Sequence, residues 1–118
     1  MSKHFKQSEF SCRCGCGFDN INPEIIEQLE KIRNIFNKSI IITSACRCEE
    51  NNKKVGGVSN SQHLFGNATD FHVAGISSGK LHAQMKEILN KGIIRNLGLY
   101  SWGVHIDVRP DKHFWDNR

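Results

Sequence analysis

The fold and the chemistry of this chain are decided by the segment Ser61-Gln62-His63-Leu64-Phe65-Gly66-Asn67-Ala68-Thr69-Asp70, together with Gly103-Val104-His105-Ile106-Asp107 downstream. The two segments supply two imidazoles and one carboxylate, on His63, His105 and Asp70. Three such groups, with a fourth position left for water, form the ligand set of a catalytic zinc ion. If the three side chains converge, the sequence predicts a metal-dependent hydrolase.

The pattern around these residues predicts two strands, at 68–73 and 104–109. Side chains alternate between the two faces of a strand, so each strand has one face for the core and one for a cleft. If the strands are neighbours, Asp70 and His105 share the cleft, and His63 enters it from the preceding loop. The core faces consist of Thr69, Phe71, Val73, Val104, Ile106 and Val108, and the cleft faces of Ala68, Asp70, His72, His105, Asp107 and Arg109.

The rest of the chain predicts an α+β fold, with a small, mostly antiparallel sheet and helices on one face. Asn22 and Pro23 are typical of a helix start, and apolar residues continue at helical spacing to Phe36. Ser78 begins a second helix that Gly92 ends. The other predicted elements are a buried strand at 39–43, a long irregular loop at 45–67 and a terminal hairpin with strands at 96–100 and 104–109.

Length and composition indicate one globular domain over residues 1–118, which we expect to be a monomer. The chain is 38% hydrophobic and 24% charged, and no window approaches the apolar length of a membrane span. The N-terminus has no apolar stretch typical of a signal peptide, so we expect synthesis in the cytoplasm. The net charge of +4 suits an anionic partner such as a cell-wall polymer, whereas the dispersed lysines and arginines argue against nucleic acid.

Five cysteines fall in two groups, Cys12, Cys14 and Cys16 in one and Cys46 and Cys48 in the other. An odd number excludes complete pairing within the chain. Structural zinc sites usually have two residues between paired cysteines, whereas a single residue separates neighbours in both groups. Three interpretations stay open: reduced thiols in a tight loop, a disulfide between the groups, or a structural zinc.

Other histidines and aromatic residues carry weaker signals. His4, His82 and His113 fit no pattern, and we interpret them as surface residues. Tyr100 and Trp102, beside the predicted turn, belong either to the core or to one wall of a substrate groove.

The motif SxHxxGxAxD at 61–70 resembles the first metal-binding signature of the zinc D-Ala-D-Ala carboxypeptidase family, and His105 in Val-His-Ile-Asp-Val-Arg resembles its second. The runs Phe-Ser-Cys-Arg-Cys-Gly-Cys-Gly at 10–17 and Thr-Ser-Ala-Cys-Arg-Cys at 43–48 are similar to those of compact, often phage-encoded members. The resemblance covers roughly residues 4–109. Relatives of the family include phage L-alanyl-D-glutamate endopeptidases, vancomycin-resistance D,D-dipeptidases and, more distantly, hedgehog signalling domains.

The resemblance implies a hedgehog-like, D,D-peptidase-like fold and a Zn²⁺ ion bound by His63, Asp70 and His105. It also implies that Arg47 contacts the substrate carbonyl or the transition state. The implied reaction is hydrolysis of peptidoglycan stem peptides by a metal-activated water, of the D,D-carboxypeptidase or L-alanyl-D-glutamate endopeptidase type. A phage-type lytic enzyme of this kind would be made in the cytoplasm and act at the bacterial cell wall.

The sequence departs from the family at the general base. Several relatives carry an acid three residues before the last zinc histidine or a histidine two residues before it, where this chain has Trp102 and Gly103. Asp107, two residues beyond His105, is the nearest acid in the sequence. We interpret Asp107 either as the base or as a residue that orients a ligand or Arg109, and favour the second role.

Two other function classes stay open. The missing base and the hedgehog resemblance allow a zinc-containing cell-wall-binding module without turnover. A cysteine-based zinc module that binds nucleic acid or protein would instead hold its metal through Cys12, Cys14 and Cys16, and not through His63 and His105.

Overall fold

The computed structural model describes residues 1–118 as three helices and one five-stranded sheet. The helices are α1 (Pro23–Phe36), α2 (Glu49–Lys54) and α3 (Ser78–Asn90), with 3₁₀ turns at Gln7–Phe10 and Gln62–Phe65. The strands are β1 (Ile40–Ser44), β2 (Ala68–Val73), β3 (Asn96–Tyr100), β4 (Gly103–Asp107) and β5 (His113–Asn117). Their order is β1-β2-β4-β3-β5, and all neighbours are antiparallel except β3 and β5. The predicted α+β class with a mostly antiparallel sheet is confirmed.

Capping side chains set the starts of the two long helices. The Asn22 side chain accepts a hydrogen bond from the Glu24 N–H (2.9 Å), and Asn37 ends α1 in a left-handed conformation (φ 52°). The Ser77 hydroxyl accepts from the Lys80 N–H (3.3 Å) at the start of α3. None of the helices has the length and apolar character needed to cross a membrane.

The core lies between one face of the sheet and the two long helices. Both helices bury one apolar stripe against alternate positions of β2, β3 and β4. This arrangement leaves the opposite face of β2 and β4 for polar side chains. The core residues of these elements are Ile25, Leu29, Ile32, Phe71, Val73, Leu81, Met85, Ile88, Leu97, Leu99, Val104 and Ile106.

The strand predicted at 39–43 is present as β1, but the prediction that it is buried is wrong for one of its faces. β1 lies at the edge of the sheet, and its exposure alternates, with Ile40 7% exposed and Ile41 42% exposed. A run of three isoleucines predicts burial on both faces, but here only one face of the strand is covered. The run of isoleucines therefore indicates a strand, but it does not indicate that the strand is buried on both faces.

Three further predictions need correction. The predicted irregular loop at 45–67 contains α2 and the 3₁₀ turn Gln62–Phe65. No strand is predicted after residue 109, yet β5 pairs in parallel with β3. His82, interpreted as a surface residue, is 2% exposed, and its Nε2–H donates to the Tyr100 carbonyl (2.7 Å). A helix position that faces a strand end can bury a histidine because backbone carbonyls there accept a hydrogen bond from its N–H.

Candidate metal centre

Strand pairing brings Asp70 and His105 together. β2 and β4 are antiparallel neighbours, and their register makes these two residues direct Cα partners. Both side chains lie on the polar face because the adjacent positions, Phe71 and Val104, are fully buried in the core. The sheet therefore fixes the relative position of two of the three predicted metal ligands.

His63 reaches the same place from the 3₁₀ turn Gln62–Phe65, just before β2. The Ser61 hydroxyl accepts from the His63 N–H (3.2 Å) at the start of this turn. Gly66 ends the turn with φ at 69°, and a Cβ at this position would collide with the backbone carbonyl of Asn20. The motif glycine is therefore required for the close backbone approach that places His63 beside the sheet.

The two imidazole nitrogens converge on one carboxylate oxygen, and these three atoms are the possible metal ligands. Asp70 Oδ1 is 3.1 Å from His63 Nε2 and 2.7 Å from His105 Nδ1, and all three donors lie within 4.8 Å of one another. In a tetrahedral zinc site with bonds of about 2.0–2.1 Å, ligand atoms are about 3.3 Å apart. The set is therefore compact enough to hold one ion after small side-chain shifts.

The second nitrogen of each imidazole has its own acceptor. His63 Nδ1–H donates to the Ala45 carbonyl (2.6 Å), and His105 Nε2–H donates to Asp107 Oδ2 (2.9 Å). In the neutral imidazoles these bonds leave His63 Nε2 and His105 Nδ1, the atoms that face Asp70, with their lone pairs available. Metal-ligating histidines are generally oriented in this way. The residues present therefore fit a metal ion in two respects: the ligand atoms are close enough together, and each imidazole can present an unprotonated nitrogen.

Arg47 borders the three donors. Its Nη2 is 3.2 Å from Asp70 Oδ2, while Nε donates to Ser44 Oγ (3.0 Å) and Nη1 to Asn52 Oδ1 (3.2 Å). A Cβ on Gly57 would collide with the Asn52 side chain, so this glycine makes room for the contact. The guanidinium is thus held in one orientation at the edge of the cleft.

Both carboxylates of the site are ionised at neutral pH. Burial raises the pKa of the Asp70 carboxyl, but His105 and His63, when they are protonated and donate hydrogen bonds to it, outweigh burial and hold the pKa below its usual range. Burial likewise opposes ionisation of Asp107, and hydrogen bonds from His105 and Arg109 lower its pKa to about 2. An ionised Asp70 is the form that a metal ligand requires.

Asp107 lies behind His105 and is fully buried. One of its oxygens accepts from His105, and the Arg109 guanidinium donates to both oxygens, through Nε and Nη2 at 3.0 Å each. Every contact of this carboxylate therefore holds either His105 or Arg109 in place.

The three metal-ligand side chains lie in an open cleft of about 680 Å³, and aromatic side chains form one part of its wall. Tyr100 and Trp102 stack with their ring centroids 4.8 Å apart and line this cleft, so they form a wall and do not belong to the core. The Trp115 ring centroid is 5.2 Å from that of His105, and Trp115 Nε1–H donates to the Tyr100 hydroxyl (2.8 Å).

Sequence reasoning missed the contribution of β5 to this cleft. Trp115 and His113 both line it, and the Arg109 guanidinium lies 5.7 Å from the Trp115 ring centroid. The adjacent aromatic residues Phe114 and Trp115 are the one signal that could have indicated a strand, because aromatic residues are enriched in strands. The structure thus brings His63, Asp70, His105, Arg47 and Asp107 together, and adds His113 and Trp115. His72, on the Asp70 face of β2, lies outside this group and pairs with Ile41 of β1.

One family of known proteins matches this chain. The family model described as Peptidase M15 matches residues 3–107. That span includes the three donors and both Arg47 and Asp107, and it ends before β5. Among curated proteins, none matches significantly.

Proposed function

The chain belongs to the peptidase M15 family, that of the zinc D-Ala-D-Ala carboxypeptidases, and on that basis we propose that it is a zinc peptidase that hydrolyses stem peptides of bacterial peptidoglycan. The observation that carries this proposal is the convergence of His63 Nε2, Asp70 Oδ1 and His105 Nδ1 at the base of an open cleft. Two neutral imidazoles and one carboxylate form a ligand set typical of catalytic zinc.

Zinc at this position would polarise the scissile carbonyl and bring the pKa of a coordinated water toward neutrality. The chain's own contribution begins with Arg47, which supports the proposal through its position. Its guanidinium is fixed by Ser44 and Asn52 and lies beside Asp70 at the edge of the cleft. A fixed cation there stabilises the negative charge that develops on the carbonyl oxygen during hydrolysis.

Proton transfer during hydrolysis needs a titratable side chain in addition to the three metal ligands His63, Asp70 and His105. Asp107 is poorly suited, because it is fully buried and its oxygens already accept hydrogen bonds from His105 and Arg109. His113 lines the cleft, and its backbone N–H donates to Asn96 Oδ1 (2.6 Å), which fixes the residue at the start of β5. We assign to the His113 imidazole the removal of a proton from the attacking water and its delivery to the leaving amine. To Asp107 we assign the orientation of His105.

The walls of the cleft support an anionic peptide substrate. Arg47 and Arg109 line it, and the net charge of the chain is +4. Tyr100, Trp102 and Trp115 offer flat apolar surfaces against which a peptide can pack. Stem peptides of peptidoglycan combine free carboxylates with small apolar side chains, so they match both features. A protein with this substrate would act at the bacterial cell wall.

A second candidate function is a zinc-containing module that binds the cell wall without turnover. Two observations favour it: Trp102 and Gly103 occupy the positions where relatives have a base, and the nearest acid in the sequence, Asp107, is fully buried. This candidate requires His113 to have no part in proton transfer.

The test is incubation of the zinc-loaded protein with purified muropeptides and identification of the products by mass. We expect cleavage, and the fragment masses identify the bond: loss of a terminal D-alanine indicates a carboxypeptidase, and separation of L-alanine from D-glutamate indicates an endopeptidase. The His105→Ala variant should be inactive. His72→Ala is the matched control, because it removes a histidine from the same face of β2, outside the donor set, and should cleave normally.

Unchanged muropeptides with fully zinc-loaded protein would contradict the peptidase proposal. If the protein then also sediments with intact cell walls, the binding module replaces it.

A further inference from the structure

We propose that Cys12, Cys14, Cys16 and Cys48 form a second metal site, a structural zinc site with four thiolate ligands that is separate from the histidine–aspartate donors. The four Sγ atoms all lie within 4.8 Å of one another. Nothing in the proposed peptidase chemistry uses them.

The sulfur positions match a tetrahedral metal site. Cys12 Sγ is 3.3 Å from Cys14 Sγ and 3.8 Å from Cys48 Sγ, and the Cys14 and Cys48 sulfurs are 3.5 Å apart. With zinc–sulfur bonds of about 2.3 Å, tetrahedral geometry places ligand sulfurs about 3.8 Å apart. The cluster therefore needs little rearrangement to bind one ion, and four thiolates without nitrogen or oxygen ligands favour zinc among the common divalent metals.

The backbone of the first three cysteines explains how a one-residue spacer can serve such a site. Gly15 and Gly17 both have left-handed backbones, with φ at 82° and 90°. The Gly15 N–H donates to the Cys12 carbonyl (3.2 Å), and the Cys12 N–H donates to the Phe18 carbonyl (2.8 Å). These turns fold the segment 12–18 into a tight loop, so that consecutive cysteines converge instead of alternating as they would in a strand.

Backbone N–H groups also point at the sulfurs. The Cys48 N–H donates to Cys12 Sγ and the Asn51 N–H donates to Cys48 Sγ, both at 3.4 Å. Such bonds stabilise the thiolate form, which is the form that binds metal, and they orient the ligand. Cys48 is at the same time the N-cap of α2, so the proposed site joins the N-terminal loop to the start of that helix.

Cys46 accounts for the odd number of cysteines. Its side chain is 1% exposed and belongs to the apolar core, and it is not part of the sulfur cluster. The five cysteines therefore divide into four that surround one point and one that packs as a small apolar residue. A pair of disulfides within the four would not require a shared centre, whereas a metal does.

The test is the zinc content of the purified protein, measured by elemental mass spectrometry and by native mass spectrometry. We expect about two zinc ions per chain. The double variant Cys14→Ser/Cys16→Ser, which changes two exposed side chains, should lose about one ion and keep the other. The variant His63→Ala/His105→Ala should show the opposite loss, and Cys46→Ala is the matched control that should keep about two.

Cobalt substitution gives a readout that does not depend on activity. Cobalt bound to thiolates absorbs strongly in the near ultraviolet through sulfur-to-metal charge transfer, so the band should appear in the wild type and in His63→Ala/His105→Ala. It should disappear in Cys14→Ser/Cys16→Ser.

Three results would overturn the proposal. The first is a wild-type protein that binds no more than about one zinc ion, when that ion is lost in His63→Ala/His105→Ala and kept in the cysteine variant. The second is the presence of disulfide bonds among these cysteines in the native protein. The third is iron in place of zinc at the thiolates. The first result would contradict the cysteine site and leave the peptidase proposal intact. A protein that binds two zinc ions but does not cleave muropeptides would contradict the peptidase proposal and leave the cysteine site intact. If the cysteine variant does not fold, the wild-type zinc content and cobalt spectrum still decide the question.

Discussion

Replacement of Asp107 by asparagine distinguishes between two roles of this residue, the orientation of the metal ligand His105 and general-base catalysis. The carboxylate accepts from His105 Nε2–H at 2.9 Å and receives two hydrogen bonds from Arg109 at 3.0 Å each. Asparagine has nearly the same shape and can still accept one hydrogen bond through its carbonyl oxygen. Its amide group, however, removes the negative charge and presents donors to Arg109, so the substitution weakens the support of His105 without creating a cavity.

The expected effect is on zinc affinity. Loss of a residue that orients a metal-ligating histidine typically reduces metal affinity by about 10–100-fold, or about 1.4–2.7 kcal/mol. Turnover at saturating zinc should stay within a few fold of the wild type, because the ligands and Arg47 are unchanged. Muropeptide hydrolysis measured against buffered free zinc gives both quantities: the half-saturation point reports affinity, and the plateau reports turnover.

Asp116→Asn provides a matched control within the same chain. Asp116 pairs with Arg118 at the same two-residue spacing and through the same guanidinium atoms, at 2.9 and 2.7 Å, but it is exposed and contacts no histidine. Its variant should leave both zinc affinity and turnover unchanged. An Asp107→Asn protein with wild-type zinc affinity and a plateau lowered by 100-fold or more would refute the orienting role and make Asp107 the base.

Four further outcomes are expected. Arg47→Lys should lower turnover by about 100-fold and leave the zinc content unchanged, since lysine keeps the charge but not the fixed guanidinium geometry; full turnover would exclude a role in transition-state stabilisation. His113→Gln should lower turnover by about 100-fold or more at full zinc occupancy, and an unaffected rate would remove His113 from proton transfer. Gly103→Ala should destabilise the fold by about 1–3 kcal/mol in chemical unfolding, because the added Cβ would collide with the Phe71 carbonyl; an unchanged midpoint would mean that β2 and β4 can separate locally. Chelation should abolish hydrolysis and lower the melting temperature, and zinc at about 100 times the dissociation constant of a site should restore about 2.7 kcal/mol of stability for that site; a melting curve unchanged by chelator would contradict bound metal at either site.

Local signals in the sequence are sufficient for the elements that build the main core. α1 and α3 have capping side chains at their starts and apolar residues at helical spacing. In β2 and β4 polar and apolar side chains alternate, as Asp-Phe-His-Val at 70–73 and Val-His-Ile-Asp at 104–107. The pairing of Asp70 with His105 depends on register, which the apolar face of each strand constrains strongly because a slip by one residue would bury its polar side chains.

The elements that escaped prediction are held by partners distant in the chain. α2 is six residues long with the polar sequence Glu-Glu-Asn-Asn-Lys-Lys, and its helical start depends on the Cys48 cap. β5 pairs in parallel with β3 across a connection that contains β4, and its burial is too slight to leave a strong hydrophobic pattern. The burial of His82 depends on the Tyr100 carbonyl lying beside α3. Short-range sequence patterns cannot predict such contacts. The contacts involve the residues around the proposed metal ligands more than the ligands themselves.

The segment from Ala45 to Cys48 shows why the residues around the site lie in irregular backbone. A β-ladder would use its carbonyl and N–H groups for pairing, whereas here the Ala45 carbonyl accepts from His63 Nδ1–H and the Arg47 N–H donates to the His63 carbonyl (3.0 Å). The Arg47 side chain contacts Asp70, and the next residue, Cys48, belongs to the sulfur cluster. The irregular backbone of 45–48 thus sets the tautomer of His63 and places the Arg47 guanidinium beside the proposed metal ligands. It also anchors the N-terminal loop through Cys48. A metal at the sulfur cluster would therefore restrict the backbone that carries Arg47, and its loss should raise the mobility of that arginine before it affects the strand-held pair Asp70 and His105.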